Sequence, residues 1–129
     1  MFASSQAFSG FAVADTEQAR QFYGDTLGLQ VSVVDEGNHL LRLDLAGDTT
    51  VLVYGKPDHT PATYTILNFP VPDVDATVDA LAAKGVEMLR YDGFEQDDKG
   101  IARGNGPDIA WFTDPSGNIL SVLSSEDIQ

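Results

Sequence analysis

One order of elements occurs twice along the chain, and this repeat constrains the fold more than any other feature. In the first copy, residues 8–13 form a short apolar stretch that reads as a strand and stops at Ala14-Asp15. Asp15 or Thr16 can cap the free amides of a following helix, and Glu17 and Gln18 suit its positive end. Ala19, Phe22, Tyr23 and Leu27 then recur at helical spacing until Gly28 closes the helix. Residues 29–34 and 39–45 read as strands, and 49–54 as a third after the Ala46-Gly47-Asp48 turn. A linker carrying Pro57 and Pro61 follows, and the order begins again. Residues 64–71 read as a strand stopped by Pro72-Asp73, and Val74, Val78, Leu81 and Ala82 give a helical stripe ending at Lys84-Gly85. Strands are expected over 86–91, 109–113 and 119–123, the last two joined by Asp114-Pro115-Ser116-Gly117-Asn118. Val13-Ala14-Asp15 aligns with Val71-Pro72-Asp73, and Leu27-Gly28-Leu29 with Lys84-Gly85-Val86.

A βαβββ unit cannot cover its own sheet, so two copies are expected to pair. The predicted class is α+β: paired βαβββ modules forming a cupped mixed sheet. Residues 1–129 are read as one domain, with module 1 at about 6–55, a linker at 56–62 and module 2 at about 63–124. A domain of this length buries roughly two thirds of its extended-chain surface, enough for a core without staples. The absence of cysteine excludes disulfide scaffolds, zinc knuckles and thiol catalysis. With 20 acidic against 7 basic residues, the formal charge of -13 argues against nucleic acid or an anionic membrane as partner. No apolar run approaches the roughly 20 residues that span a bilayer. Residues 1–10 lack the basic start and apolar centre of a signal peptide, so a cytoplasmic setting is expected.

Residues 8–15, Gln21-Phe22-Tyr23 with Leu27-Gly28-Leu29, and the turn Asp114-Pro115-Ser116-Gly117-Asn118 occur in the order in which the vicinal oxygen chelate superfamily carries similar motifs. Over nearly its whole length the chain resembles that glyoxalase/bleomycin-resistance/dioxygenase superfamily. The resemblance implies a cupped site and, in catalytic relatives, a divalent metal held by His or Glu at about 2.0–2.3 Å. The positions it assigns to those ligands are Phe8, Leu52, Ile66 and Ser121. Three of these side chains cannot ligate a metal, and one hydroxyl is a poor ligand by itself. Neither His39, which opens a strand, nor His59, in the linker, falls on a family position, and each reads as an exposed or capping imidazole. No metal and no cofactor is therefore expected.

Strand alternation identifies the side chains that line the cup. With Phe8 and Ile66 facing inward, Gly10, Ala12, Tyr64, Asn68 and Pro70 share their face, and Trp111 pairs with Ser121. Leu41, Leu43, Leu45, Val51 and Val53 form one apolar face of the hairpin at 39–54, which leaves Arg42, Asp44, Leu52 and Tyr54 on the other. The candidate ligand-binding set is thus Phe8, Arg42, Asp44, Leu52, Tyr54, Tyr64, Ile66, Asn68, Trp111 and Ser121, a half-apolar lining with polar anchors. Plainer readings stand beside it. Trp111 and the tyrosines can fill a closed core, Arg42 and Asp44 can form a structural ion pair, and Ser121 lacks a base at a recognisable spacing. Asn68, an amide in mid-strand, needs partners when buried. The stretch at 92–107 is long for a connection and reads either as a lid or as a solvated insertion. Gly104-Asn105-Gly106 lacks the following helix and Lys-Ser/Thr of a phosphate loop.

The expected function is metal-independent binding of an aromatic or mixed-polarity small molecule by a homodimer, as in the drug-sequestering branch of the superfamily. One alternative is a glyoxalase-like lyase or dioxygenase using unorthodox ligands such as Asp44 and His59, or metal-free acid–base chemistry by Tyr54, Asp44 or Arg42. Another is an interaction module with a filled cup. No residue is assigned a catalytic role.

Overall fold

In a computed structural model, which describes residues 1–93, 95–104 and 106–127, the chain divides into two compact units, Met1–Thr60 and Pro61–Gln129. Both are α+β. Phe94 and Asn105, of the long connection, lie outside the described residues.

In the first unit, β1 (Ser9–Val13), β2 (Gln30–Asp35), β3 (Leu40–Leu45) and β4 (Thr49–Gly55) form a mixed sheet in the order β1-β4-β3-β2, with β1 parallel to β4. Helix α1 (Thr16–Gln21) starts where Asp15 leaves the extended strand, and its carboxylate accepts the N–H groups of Glu17 and Gln18 at 3.0 and 3.1 Å. The helix then widens into a π turn, Phe22–Thr26, with the Leu27 N–H reaching the Phe22 carbonyl. Gly28, at φ 77°, lets the chain turn back into β2. Ala19 and Tyr23 are buried on this helix, as are Val13, Leu41, Leu43, Val51 and Val53 on the sheet, so the expected apolar face is the core face. The strand expected from His39 begins one residue later. His39 is instead a turn residue at φ 55°, and its carbonyl accepts the Gly55 N–H.

In the second unit, β5 (Thr65–Val71), β6 (Ile109–Thr113) and β7 (Ile119–Ser124) form a mixed sheet in the order β5-β7-β6, β5 being parallel to β7. Asp73 caps α2 (Val74–Ala83) through the Ala76 N–H, and Val74, Val78 and Leu81 are its buried stripe. At the other end the N–H groups of Gly85 and Val86 bond to the carbonyls of Ala82 and Leu81 around Gly85 at φ 85°, the Schellman arrangement. The Asp114 carboxylate organises the final turn, accepting the N–H groups of Ser116 and Asn118 and the Asn118 side-chain amide, each at 2.9 Å.

The strand expected over 86–91 does not form. It is reduced to one bridge, Met88 to Phe112, with the Leu89 N–H on the Trp111 carbonyl. The reason is a side chain that takes the place of a ladder. Gln96 accepts the Tyr91 N–H at 2.7 Å and donates to the carbonyls of Leu89 and Gly100 at 2.9 and 2.8 Å. The long connection is anchored at its described residues. Ile101 is buried, Ala102 bridges both Gln96 and Ile109, and Arg103 bonds Asp75, Asp97 and Asp108 at 2.8–3.0 Å. Lys99 adds Asp79 at 3.1 Å. Burial pushes the Asp97 carboxyl upward, but the Ile101 N–H, the Arg103 guanidinium and the Lys99 N–H outweigh it and hold the carboxyl below its ordinary value.

Removing the Gln96 amide leaves three backbone groups without it, so Gln96→Ala is expected to lower stability by about 1–3 kcal/mol in urea unfolding, with faster amide exchange at Tyr91. Unchanged exchange there would contradict the substitution of ladder by side chain. Because the Asp97 pKa is lower folded than unfolded, its contribution is present above the unfolded value of about 4 and is lost as pH falls through the folded one. Thermal melts from about pH 5 downward should therefore show a shallower acid loss in Asp97→Asn than in the parent. Superimposable acid limbs would refute this.

Candidate functional site

The alternation that buries Leu41, Leu43, Val51 and Val53 places the intervening side chains on the opposite face of the first sheet. The register aligns Gly10, Leu52, Arg42 and Ser32 in one row across four strands, and Ala12, Tyr54 and Leu40 in the next. Gly10 allows β1 to lie close to β4, since a Cβ there would stand 3.2 Å from the Leu52 carbonyl oxygen. On this face the Arg42 Nε donates to Asp44 Oδ1 at 2.9 Å. The pair is half exposed, Tyr54 is exposed, and Phe8, just ahead of β1, is 67% exposed. Five of the expected site residues, Phe8, Arg42, Asp44, Leu52 and Tyr54, thus belong to the first unit.

The other five belong to the second. Asn68, Ser121 and Trp111 form a row across β5, β7 and β6. Ser121 is fully buried, and its hydroxyl finds the partner it needs by donating to Oδ1 of Asn68 at 2.5 Å, whereas Asn68, expected to need partners if buried, is exposed. Tyr64 precedes β5 and is exposed. Ile66 departs from the simple two-residue count, because the β5–β7 register shifts between Thr65 and Leu67. Tyr91, absent from the expected set, meets Trp111 edge-on, with ring centroids 5.2 Å apart and planes at 90°. Two-residue counting along 86–91 would have found it only by assuming a strand that does not form.

Two clefts of about 390 and 490 Å³ open in the first unit where α1 begins, and both include Thr16, Glu17 and His39 in their walls. Lys56 and Gly55 belong to the smaller, Arg20 and Asp35 to the larger. None of the ten expected residues lines either. His39 reaches both because its positive φ turns it out of the β2–β3 connection, a conformation that leaves little mark in sequence. In the linker, His59 Nε2 is buried with no hydrogen-bond partner among the described residues.

The divalent metal implied by the resemblance does not fit these residues. Phe8, Leu52 and Ile66 carry no lone pair, and the Ser121 hydroxyl is committed to Asn68. Among the described residues no three Asp, Glu or His side chains come together as a ligand set. Within the second unit, the sheet offers instead the aromatic surface of Trp111 and Tyr91, with Asn68 and Ser121 in the same row as Trp111. If the Arg42–Asp44 pair is only a surface ion pair, Arg42→Gln should change unfolding free energy by less than about 1 kcal/mol. A larger loss would show that the pair holds the sheet.

Comparison with known proteins gives a consistent result. A family model described as Glyoxalase/Bleomycin resistance protein/Dioxygenase superfamily matches residues 7–122. Similar solved structures include a glyoxalase family protein from Bacillus anthracis, 20% identical with TM-score 0.69, the match covering 96% of this chain and 98% of that one. The antibiotic binding protein TnmS3 from Streptomyces sp. CB03234 is 26% identical with TM-score 0.68, over 94% of this chain and 97% of that one. A glyoxalase/bleomycin resistance protein from the same Streptomyces is 27% identical with TM-score 0.63, over 92% and 100%. None of the curated proteins matches.

Proposed function

Given that the chain belongs to the Glyoxalase/Bleomycin resistance protein/Dioxygenase superfamily, we propose that it is a metal-independent binding protein for an aromatic or mixed-polarity small molecule. The observation that carries this reading is Ser121. At a position the resemblance assigns to a metal ligand stands a buried hydroxyl that donates to a neighbouring amide, and the remaining such positions, Phe8, Leu52 and Ile66, are apolar. In the second unit Trp111 and Tyr91 supply flat apolar surface, with Asn68 in the same sheet row as a polar anchor of the kind such ligands use. The likeness to an antibiotic binding protein supports binding rather than turnover. The same reading takes residues 1–129 as one domain, with a homodimer as the working state, a cytoplasmic setting, and no nucleic acid or membrane partner. Among the described residues no helix is long and apolar enough to cross a membrane.

Metal analysis of untagged protein, with thermal melts over a divalent-metal series, tests the first half. The expected outcome is no stoichiometric metal and no metal-induced shift. One metal per chain, with stabilisation of about 3–4 kcal/mol at 100- to 1,000-fold excess over Kd, would overturn it. Titration with planar aromatics, followed through the single tryptophan, tests the second. Saturable change of Trp111 emission is expected, and a flat response across the panel would count against a binding site.

A further inference from the structure

We infer that Asn68 selects the ligand's chemistry: Ser121 holds it with its donor nitrogen outward, so the site prefers planar aromatic compounds bearing a carbonyl or similar acceptor over those bearing a donor at the same place. This rests on the reading of the second sheet as part of a small-molecule site.

A carboxamide has two faces to offer, an acceptor oxygen and a two-proton donor nitrogen, and free to rotate it accepts either kind of ligand group. Here that freedom is removed. Ser121, on the central strand β7, is completely buried, and its hydroxyl proton is directed onto Asn68 Oδ1 at 2.5 Å. Turned over, the amide would donate to the Ser121 oxygen but leave the buried hydroxyl proton without this acceptor, a desolvation cost that favours the observed orientation. With Oδ1 turned toward the buried Ser121, amide geometry points Nδ2 away from it, so its protons are the group presented, and the Asn68 side chain has no other hydrogen bond among the described residues. Asn68 is exposed, so these donors are accessible.

The aromatic half of the preference comes from the same row. Residues paired across strands point to the same side of a sheet, and the register places Trp111 opposite Ser121 and Ser121 opposite Asn68. Trp111 and Asn68 are therefore two strand spacings apart, roughly 10 Å. The Tyr91 edge braces the Trp111 ring. A fused two- or three-ring compound resting against Trp111 spans that distance and brings a substituent to Asn68 Nδ2, which rewards an acceptor and leaves a donor facing two amide protons.

The test uses three planar tricyclic compounds of nearly one shape: 9-fluorenone, with a carbonyl acceptor; fluorene, with neither group; and carbazole, with an N–H donor. Dissociation constants come from Trp111 emission, and contact is read from the Asn68 side-chain amide signals in nitrogen–proton NMR spectra. The expected result is fluorenone binding about 10-fold tighter than fluorene, carbazole weakest, with the Asn68 amide shifting only with fluorenone. Asn68→Asp keeps an acceptor for Ser121 and removes the donors, so the ratio of fluorene to fluorenone dissociation constants should fall from about 10 to about 1. Ser121→Ala frees the amide to turn, and carbazole should gain on fluorenone. Equal affinities for all three probes, unaltered in Asn68→Asp, would overturn the donor assignment and leave the binding reading intact. Binding of none of the three by Trp111 emission would sink the binding reading and this inference with it.

Discussion

Each sheet of this protein is held in register by the burial of one of its faces, and what the other face offers follows from that. Side chains on a strand alternate with a period of two, so a slip of one residue would exchange the faces completely. In the first unit such a slip would drive Arg42 and Asp44 into the core and expose Leu41 and Leu43, which are now buried. No surface ion pair offsets a cost of that size. The polar row on the open face is therefore a consequence of the apolar row behind it. The helices that cover the buried faces begin with the same device, a strand-terminating aspartate whose carboxylate takes up free helix amides, Asp15 in one unit and Asp73 in the other.

The second unit solves an additional problem. Strand β6 would present an open edge, and the chain segment available to cover it is polar and rich in glycine. The structure covers the edge piecewise, with Met88 beside Phe112 and Ala102 beside Ile109, and uses the Gln96 amide where a continuous ladder is missing. Buried Ile101 anchors the middle of the connection, while Arg103 and Lys99 tie it to α2 through Asp75 and Asp79. These ion pairs are partly exposed, so each contributes little, and the hydrogen bonds and the buried isoleucine carry more of the attachment. In a chain of formal charge -13, gathering carboxylates around two of the few cations also relieves local repulsion.

Much of this was legible in sequence. Both helices, their aspartate caps and closing glycines, and seven of the eight expected strands are signalled by residues close together in the chain, and each forms within a few residues of its expected place. The apolar positions of the 39–54 hairpin foretold which face Arg42, Asp44, Leu52 and Tyr54 would occupy, because alternation is a local rule. The eighth strand was not legible, since its replacement depends on Gln96 reaching back to Leu89 and Tyr91 from beyond a turn. Ile66 shows the same limit on a smaller scale: counting by twos assumes an unbroken ladder, and the register shift beside it breaks that assumption.

By itself the amino-acid order determined the α+β class, the duplicated β–α turn, the superfamily and the absence of ligating side chains at Phe8, Leu52 and Ile66, all of which are carried by local spacing or residue type. Tertiary structure alone decided that Ser121 donates to Asn68 from 53 positions away, that Tyr91 meets Trp111, and that His39 turns toward the clefts beside α1. Those outcomes depend on which strands become neighbours and on where a register shifts. Pairing between distant segments is set by the burial of whole faces, and no short stretch of sequence contains it.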